Sequence, residues 1–98
     1  MRYKKKDLSR RFSIDSGLRR DKALELTNAF LYSFRAFLLE MKVGDALEIR
    51  DFGVFEMHLT KSRYSAVDPI CQKRHIVSAR RRLRYRPSLT IKRELRKV

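Results

Sequence analysis

Residues 49–55, Ile49-Arg50-Asp51-Phe52-Gly53-Val54-Phe55, decide how this chain folds. Apolar residues at 49, 52 and 55 flank Arg50-Asp51, a pair suited to a tight turn. The segment therefore predicts a β-hairpin whose second strand opens at Phe52. Gly53 between two aromatics marks a bulge or the close approach of another backbone. Upstream, Val43-Gly44-Asp45 turns into a first strand over Ala46–Ile49. Downstream, the second strand runs through Glu56-Met57-His58-Leu59-Thr60 to about residue 66. Its alternation is clear at first and fades beyond Leu59, where the strand leaves the core. The outgoing segment 60–66 and the return 73–78 are polar on both faces, the pattern of a two-stranded ribbon with Val67-Asp68-Pro69-Ile70-Cys71-Gln72 at its tip. Such a ribbon is marginal alone in water, so a ligand is expected to order it.

The return strand continues as Ala79-Arg80-Arg81-Arg82-Leu83-Arg84-Tyr85-Arg86. Period two puts Arg80, Arg82, Arg84 and Arg86 on one face and Arg81, Leu83 and Tyr85 on the other. Leu83 and Tyr85 are the expected anchors to the core. The arginine face cannot be core, because unpaired guanidinium is too costly to bury. Four like charges in a row also repel one another without counter-charge, so phosphate is the favoured partner over plain solvation. Residues 61–98 hold 13 of the 25 Lys/Arg and only two acids, Asp68 and Glu94. Pro87-Ser88 then opens a last helix, with Ser88 as N-cap, Leu89 and Ile91 as docking residues, and Lys92, Arg93, Arg96 and Lys97 making it basic.

Two helices precede the hairpin. Within residues 1–16 a basic cluster, Arg2, Lys4, Lys5 and Lys6, leads into a short helix with Leu8 and Phe12 on one face, closed by Gly17. Lys4, Lys5 and Lys6 suit either a solvated terminus or phosphate contact. Residues 20–41 form the longest helical pattern, free of Gly and Pro, with Ala23, Leu26, Phe30, Phe34, Phe37, Leu38 and Met41 at spacings of three and four. Leu31 and Leu39 widen that stripe beyond what one short helix and a small sheet would cover. A second chain packing on the same stripe is the expected solution, with Phe30, Phe34, Phe37, Leu38, Met41, Phe52, Phe55, Leu83 and Tyr85 at the dimer interface.

Composition sets the partner class. Ninety-eight residues make one small domain, and with 37% charged residues a lone chain closes only a modest core. A net charge of +14 points to a polyanion, nucleic acid before an acidic membrane surface. A single cysteine excludes an internal disulfide, and no Cys/His group has metal-binding spacing. No run is apolar enough for a membrane span, and the basic start lacks the apolar core of a signal peptide, so a cytoplasmic, nucleoid-associated protein is expected. His58 and His75 have no carboxylate or nucleophile at useful spacing, and Cys71 lacks a base and oxyanion donors, so no catalytic residues, cofactor or small-molecule substrate are assigned. Asp45, Glu48 and Asp51 read as surface carboxylates available to nearby arginines.

The order of these pieces resembles the HU / integration host factor family of bacterial DNA-bending proteins, over nearly the whole chain. The resemblance rests on Gly44-Asp45, Phe52-Gly53-Val54-Phe55, Arg63, Pro69, Ala79-Arg80-Arg81, and Tyr85-Arg86-Pro87 with Lys92. It implies an α+β fold in which two chains intertwine into a helical dimerisation base (1–43), a three-stranded antiparallel β-saddle (44–86) with a protruding two-stranded arm (about 60–78), and a C-terminal helix (87–98). It implies double-stranded DNA as partner, bound largely without sequence preference, bent or compacted by arms lying in the minor groove, with the tip proline wedged between base pairs. The residues so assigned to DNA are Lys4, Lys5, Lys61, Arg63, Pro69, Ile70, Lys73, Arg74, Arg80, Arg81, Arg82, Arg84, Arg86 and Lys92. Val67 and Ile70 either help fill the opened step or pack on each other. The tip departs from the family: its usual Gly-Arg-Asn-Pro is Ser65-Ala66-Val67-Asp68-Pro69 here, with one residue more after Arg63, and the following Thr-Gly is missing. The helix-opening glycine is Ser88. A homodimer is expected, and pairing with a paralogue would use the same stripe. A ribosome-associated or other RNA-binding basic protein is the alternative, without an RRM-type aromatic motif or a KH-type Gly-x-x-Gly loop to support it.

Overall fold

The computed structural model describes residues 1–60, 63–64, 76–77 and 79–97, with backbone alone at 63–64 and 76–77. The elements run α1 Lys5–Ser16, α2 Arg20–Glu40, β1 Ala46–Ile49, β2 Gly53–Leu59, β3 Arg63–Tyr64, β4 Ile76–Val77, β5 Arg81–Pro87 and α3 Leu89–Arg96. They group into two units, Met1–Glu40 and Met41–Val98.

In the helical unit, α1 starts where the Asp7 carboxylate accepts the Lys4 backbone N–H at 2.8 Å, an acid suited to the positive end of the helix. It stops at Gly17, whose φ of 73° is the left-handed cap conformation and whose N–H donates to the Ser13 carbonyl. Small side chains let α1 and α2 approach: Ser9, Ala23 and Thr27 are the buried residues of the pair. Large apolar side chains stay uncovered. Leu8, Phe12, Leu26, Phe30 and Leu31 border an open groove of about 550 Å³, and Phe30 remains 64% exposed while stacking on Phe34 at 5.7 Å. Met41, expected on the helical stripe, lies just past the end of α2 and is buried within the single chain.

In the second unit β1, β2 and β5 form an antiparallel sheet in that spatial order. The hairpin occurs where the sequence predicts it, but its turn takes in Phe52: Ile49 pairs with Gly53, and the Phe52 N–H donates to the Ile49 carbonyl at 3.0 Å. Asp51 adopts φ 63°, a left-handed conformation that aspartate tolerates better than most residues. The expected single strand from Phe52 to about residue 66 is broken. β2 ends at Leu59, and β3 pairs with β4 as a separate two-stranded sheet, with Arg63 opposite Val77 and Tyr64 opposite Ile76. Thr60 explains the break: its hydroxyl oxygen, rather than a ladder carbonyl, accepts the Arg80 N–H at 2.9 Å, while its own N–H donates to the Arg80 carbonyl at 2.8 Å. The last strand likewise begins at Arg81 and runs one residue further than expected, to Pro87. Ser88 caps α3 as expected, accepting the Ile91 N–H at 3.3 Å. Ile91 is half-buried, whereas Leu89, the other expected docking residue, is exposed.

Gly53 is required by the register. Its φ is 152°, and a Cβ there would stand 2.5 Å from the Arg86 carbonyl oxygen and 2.7 Å from a ring carbon of Tyr85. Gly53→Ala is expected to cost about 2–4 kcal/mol through strained backbone and displaced strand, read as a lower urea midpoint at unchanged slope. An unchanged midpoint would mean that β5 has room to shift.

Candidate nucleic-acid interface

Antiparallel neighbours share a face, so the register sorts the sheet into two chemistries. Arg82 lies opposite His58, Arg84 opposite Glu56 and Arg86 opposite Val54, and on the other side of β2 Glu48 faces Val54 and Ala46 faces Glu56. One face therefore carries Arg82, Arg84 and Arg86, all exposed. The reverse face pairs Leu83 with Met57 and Tyr85 with Phe55. There Phe52, Phe55 and Tyr85 form an aromatic cluster, with Tyr85 4.9 Å from Phe55 and 5.7 Å from Phe52. The Tyr85 hydroxyl donates to the Phe52 carbonyl at 2.9 Å, tying β5 to the hairpin turn. Leu83 and Tyr85 do face the apolar side, yet they are 44% and 40% exposed, so in a single chain they are half-covered rather than core.

The expected site residues divide accordingly. Arg80 precedes β5 and is held by Thr60 through its backbone. Arg81 lies on the apolar side, where its guanidinium Nη1 donates to the Met41 carbonyl at 2.7 Å, a structural contact the sequence reading did not anticipate. Lys92, on α3, borders with Arg86, Arg50 and Ser88 an open cavity of about 360 Å³ that also takes in Glu48 and Asp51. Lys4 and Lys5 are exposed at the start of α1, in the helical unit. Arg63 is described through its backbone in β3. Lys61, Pro69, Ile70, Lys73 and Arg74, with the rest of the expected tip, lie outside the described residues.

Two residues carry more than the sequence suggested. His58, read as lacking a carboxylate partner, has Nε2 2.9 Å from Glu56 Oε2. Glu56 also accepts from Arg86 Nε through Oε1 at 2.8 Å, so this acid stands inside the arginine face. Strand parity from Val54 would have found both, once the register was known. Asp45, Glu48 and Asp51 form no ion pair with an arginine among the described residues. No group of metal-binding side chains occurs among the described residues, and no described helix is long and apolar enough to cross a membrane.

The arrangement is a sheet with a row of arginines on one face and an aromatic cluster on the other. In fold the chain is similar to Anabaena HU, solved as a cocrystal with DNA, at a TM-score of 0.78 and 17% identity, covering 98% of this chain and 100% of that one. No curated protein sequence matches it. The family described as bacterial DNA-binding protein matches residues 3–96, and with that span nearly the whole chain is accounted for: it belongs to this family of DNA-binding architectural proteins.

Proposed function

We propose that two copies of the chain form a homodimer that binds duplex DNA at the nucleoid, largely without sequence preference, and bends or compacts it. The observation that carries this reading is the alignment of Arg82, Arg84 and Arg86 on one sheet face, with no carboxylate in salt-bridge range of Arg82 or Arg84 among the described residues. Phosphate is the anion that such a row accommodates, and phosphate contacts supply affinity without reading bases. No described helix presents itself as a base reader. The phosphate-binding set is Arg80, Arg82, Arg84 and Arg86 with Lys92, extended by Lys4 and Lys5 and by the arm residues Lys61, Arg63, Lys73 and Arg74.

Uncovered apolar side chains support the dimer: Phe30 and Phe37 are 64% and 52% exposed, and Leu83 and Tyr85 44% and 40%. The stripe available for it holds Phe30, Phe34, Phe37 and Leu38, with Phe52, Phe55, Leu83 and Tyr85 from the sheet.

Salt dependence tests the electrostatic core of this reading. If the dimer neutralises about ten phosphates, log K should fall with log salt at a slope near −9, and Arg82→Ala with Arg84→Ala should make it shallower by about three to four. A parent slope shallower than about −3 would contradict it. Duplex RNA of equal length should compete poorly; equal competition would favour the RNA-binding alternative.

Bending is tested separately, by end-to-end energy transfer on a doubly labelled short duplex in about 0.1 M salt, within the range where screening still permits binding. Transfer should rise with binding and fall in Pro69→Ala. Tight binding with flat transfer in both would mean that the protein coats DNA without wedging it.

A further inference from the structure

Glu56 occupies the centre of the arginine face, and its neighbours define what it does there. Across the sheet it faces Ala46 on β1 and Arg84 on β5. Its Oε1 accepts from Arg86 Nε at 2.8 Å, and its Oε2 lies 2.9 Å from His58 Nε2. The Glu56 side chain is 20% exposed against 59% for Arg86 and 48% for His58, so the carboxylate sits beneath two more exposed groups. The other charged groups on this face are Glu48 on β1 and Arg82 and Arg84 on β5, with Lys92 of α3 beyond Arg86. Arg82 is directly opposite His58.

The pairing cancels charge on the face, because the Glu56 carboxylate and the Arg86 guanidinium sum to zero. Arg82 and Arg84, on the same face, form no such pair among the described residues. We infer that Glu56 is a positioning residue that competes with phosphate for Arg86 and so lowers the affinity of this face for DNA. This rests on the reading of the arginine face as a DNA surface.

The size of the effect follows from counterion release. One added phosphate contact at 0.15 M salt is worth about fivefold in affinity, and one per protomer about thirtyfold.

The test is a titration of a fluorescent duplex at about 0.15 M salt and at a series of salt concentrations around it, with the parent, Glu56→Gln and the double variant Glu56→Gln/Arg86→Ala. Glu56→Gln should bind about five- to thirtyfold more tightly than the parent, with a salt slope steeper by about one to two, and the double variant should lose that gain. A Glu56→Gln variant with the parent's affinity and slope would overturn the inference. So would a double variant that binds as tightly as Glu56→Gln, since the charge released would then not be that of Arg86. A parent that binds no duplex removes the DNA reading as well.

Discussion

The antiparallel pairing of β2 with β5 is the constraint on which the rest of this unit depends. Side chains alternate along β5 with a period of two, so pairing Arg84 with Glu56 and Tyr85 with Phe55 sends charge to one face and rings to the other. A slip of one residue would drive three arginines into the aromatic cluster, at a desolvation cost no contact there could offset. Three contacts hold the register against that slip. The Tyr85 hydroxyl and the Ser88 N–H both reach the Phe52 carbonyl, at 2.9 and 3.1 Å, and Gly53 lets the Arg86 backbone close against β2. The hairpin turn, the end of β5 and the start of α3 thus form one corner. That corner places Arg86 beside Glu56 and sets Arg86 and Lys92 on the border of one cavity.

The same alternation leaves an apolar surface that a single chain does not cover. Among the described residues the buried apolar side chains are Ala23, Met41 and Met57, and no large side chain is fully enclosed. Phe30 and Phe37 on α2 are more than half exposed, and Leu83 and Tyr85 on β5 are only half-covered. Chains of this size seldom hold themselves together on so little, and exposed rings at this density mark surfaces meant for burial. On the proposed reading one requirement serves two ends. The aromatic side closes against a second chain, and closing it doubles the arginine side that faces phosphate.

Much of this was legible in the sequence, for reasons that can be stated residue by residue. The hairpin, Gly17 as a helix end, Ser88 as a cap and the two-faced β5 all follow from local rules of turn chemistry and periodicity, and the family resemblance followed from their order. What was missed depends on contacts that exist only in the folded chain. Nothing local says that Phe52 belongs to the turn, because its apolar side chain also suits a strand start; the Ile49–Phe52 hydrogen bond decides it. Arg81 looks like one more member of a basic run until its guanidinium finds the Met41 carbonyl, 40 residues away. Thr60 breaks the strand because its hydroxyl substitutes for a ladder acceptor, a choice that exists only when Arg80 is opposite. His58 reads as a histidine without a carboxylate partner because Glu56, two residues back, shares its face only once the strand has formed, and Arg86 joins the pair from β5.

The account stands or falls on whether the apolar side is shared. Thermal unfolding of the full chain, followed by circular dichroism at protomer concentrations from about 1 to 100 μM, measures this directly, because a fold completed by a second copy gains stability by mass action. The midpoint should rise steadily with concentration, and sedimentation of the folded protein should give twice the mass of the chain. A concentration-independent midpoint with a folded monomer would contradict the account, since the chain would then have to be stable with its aromatic side open to water.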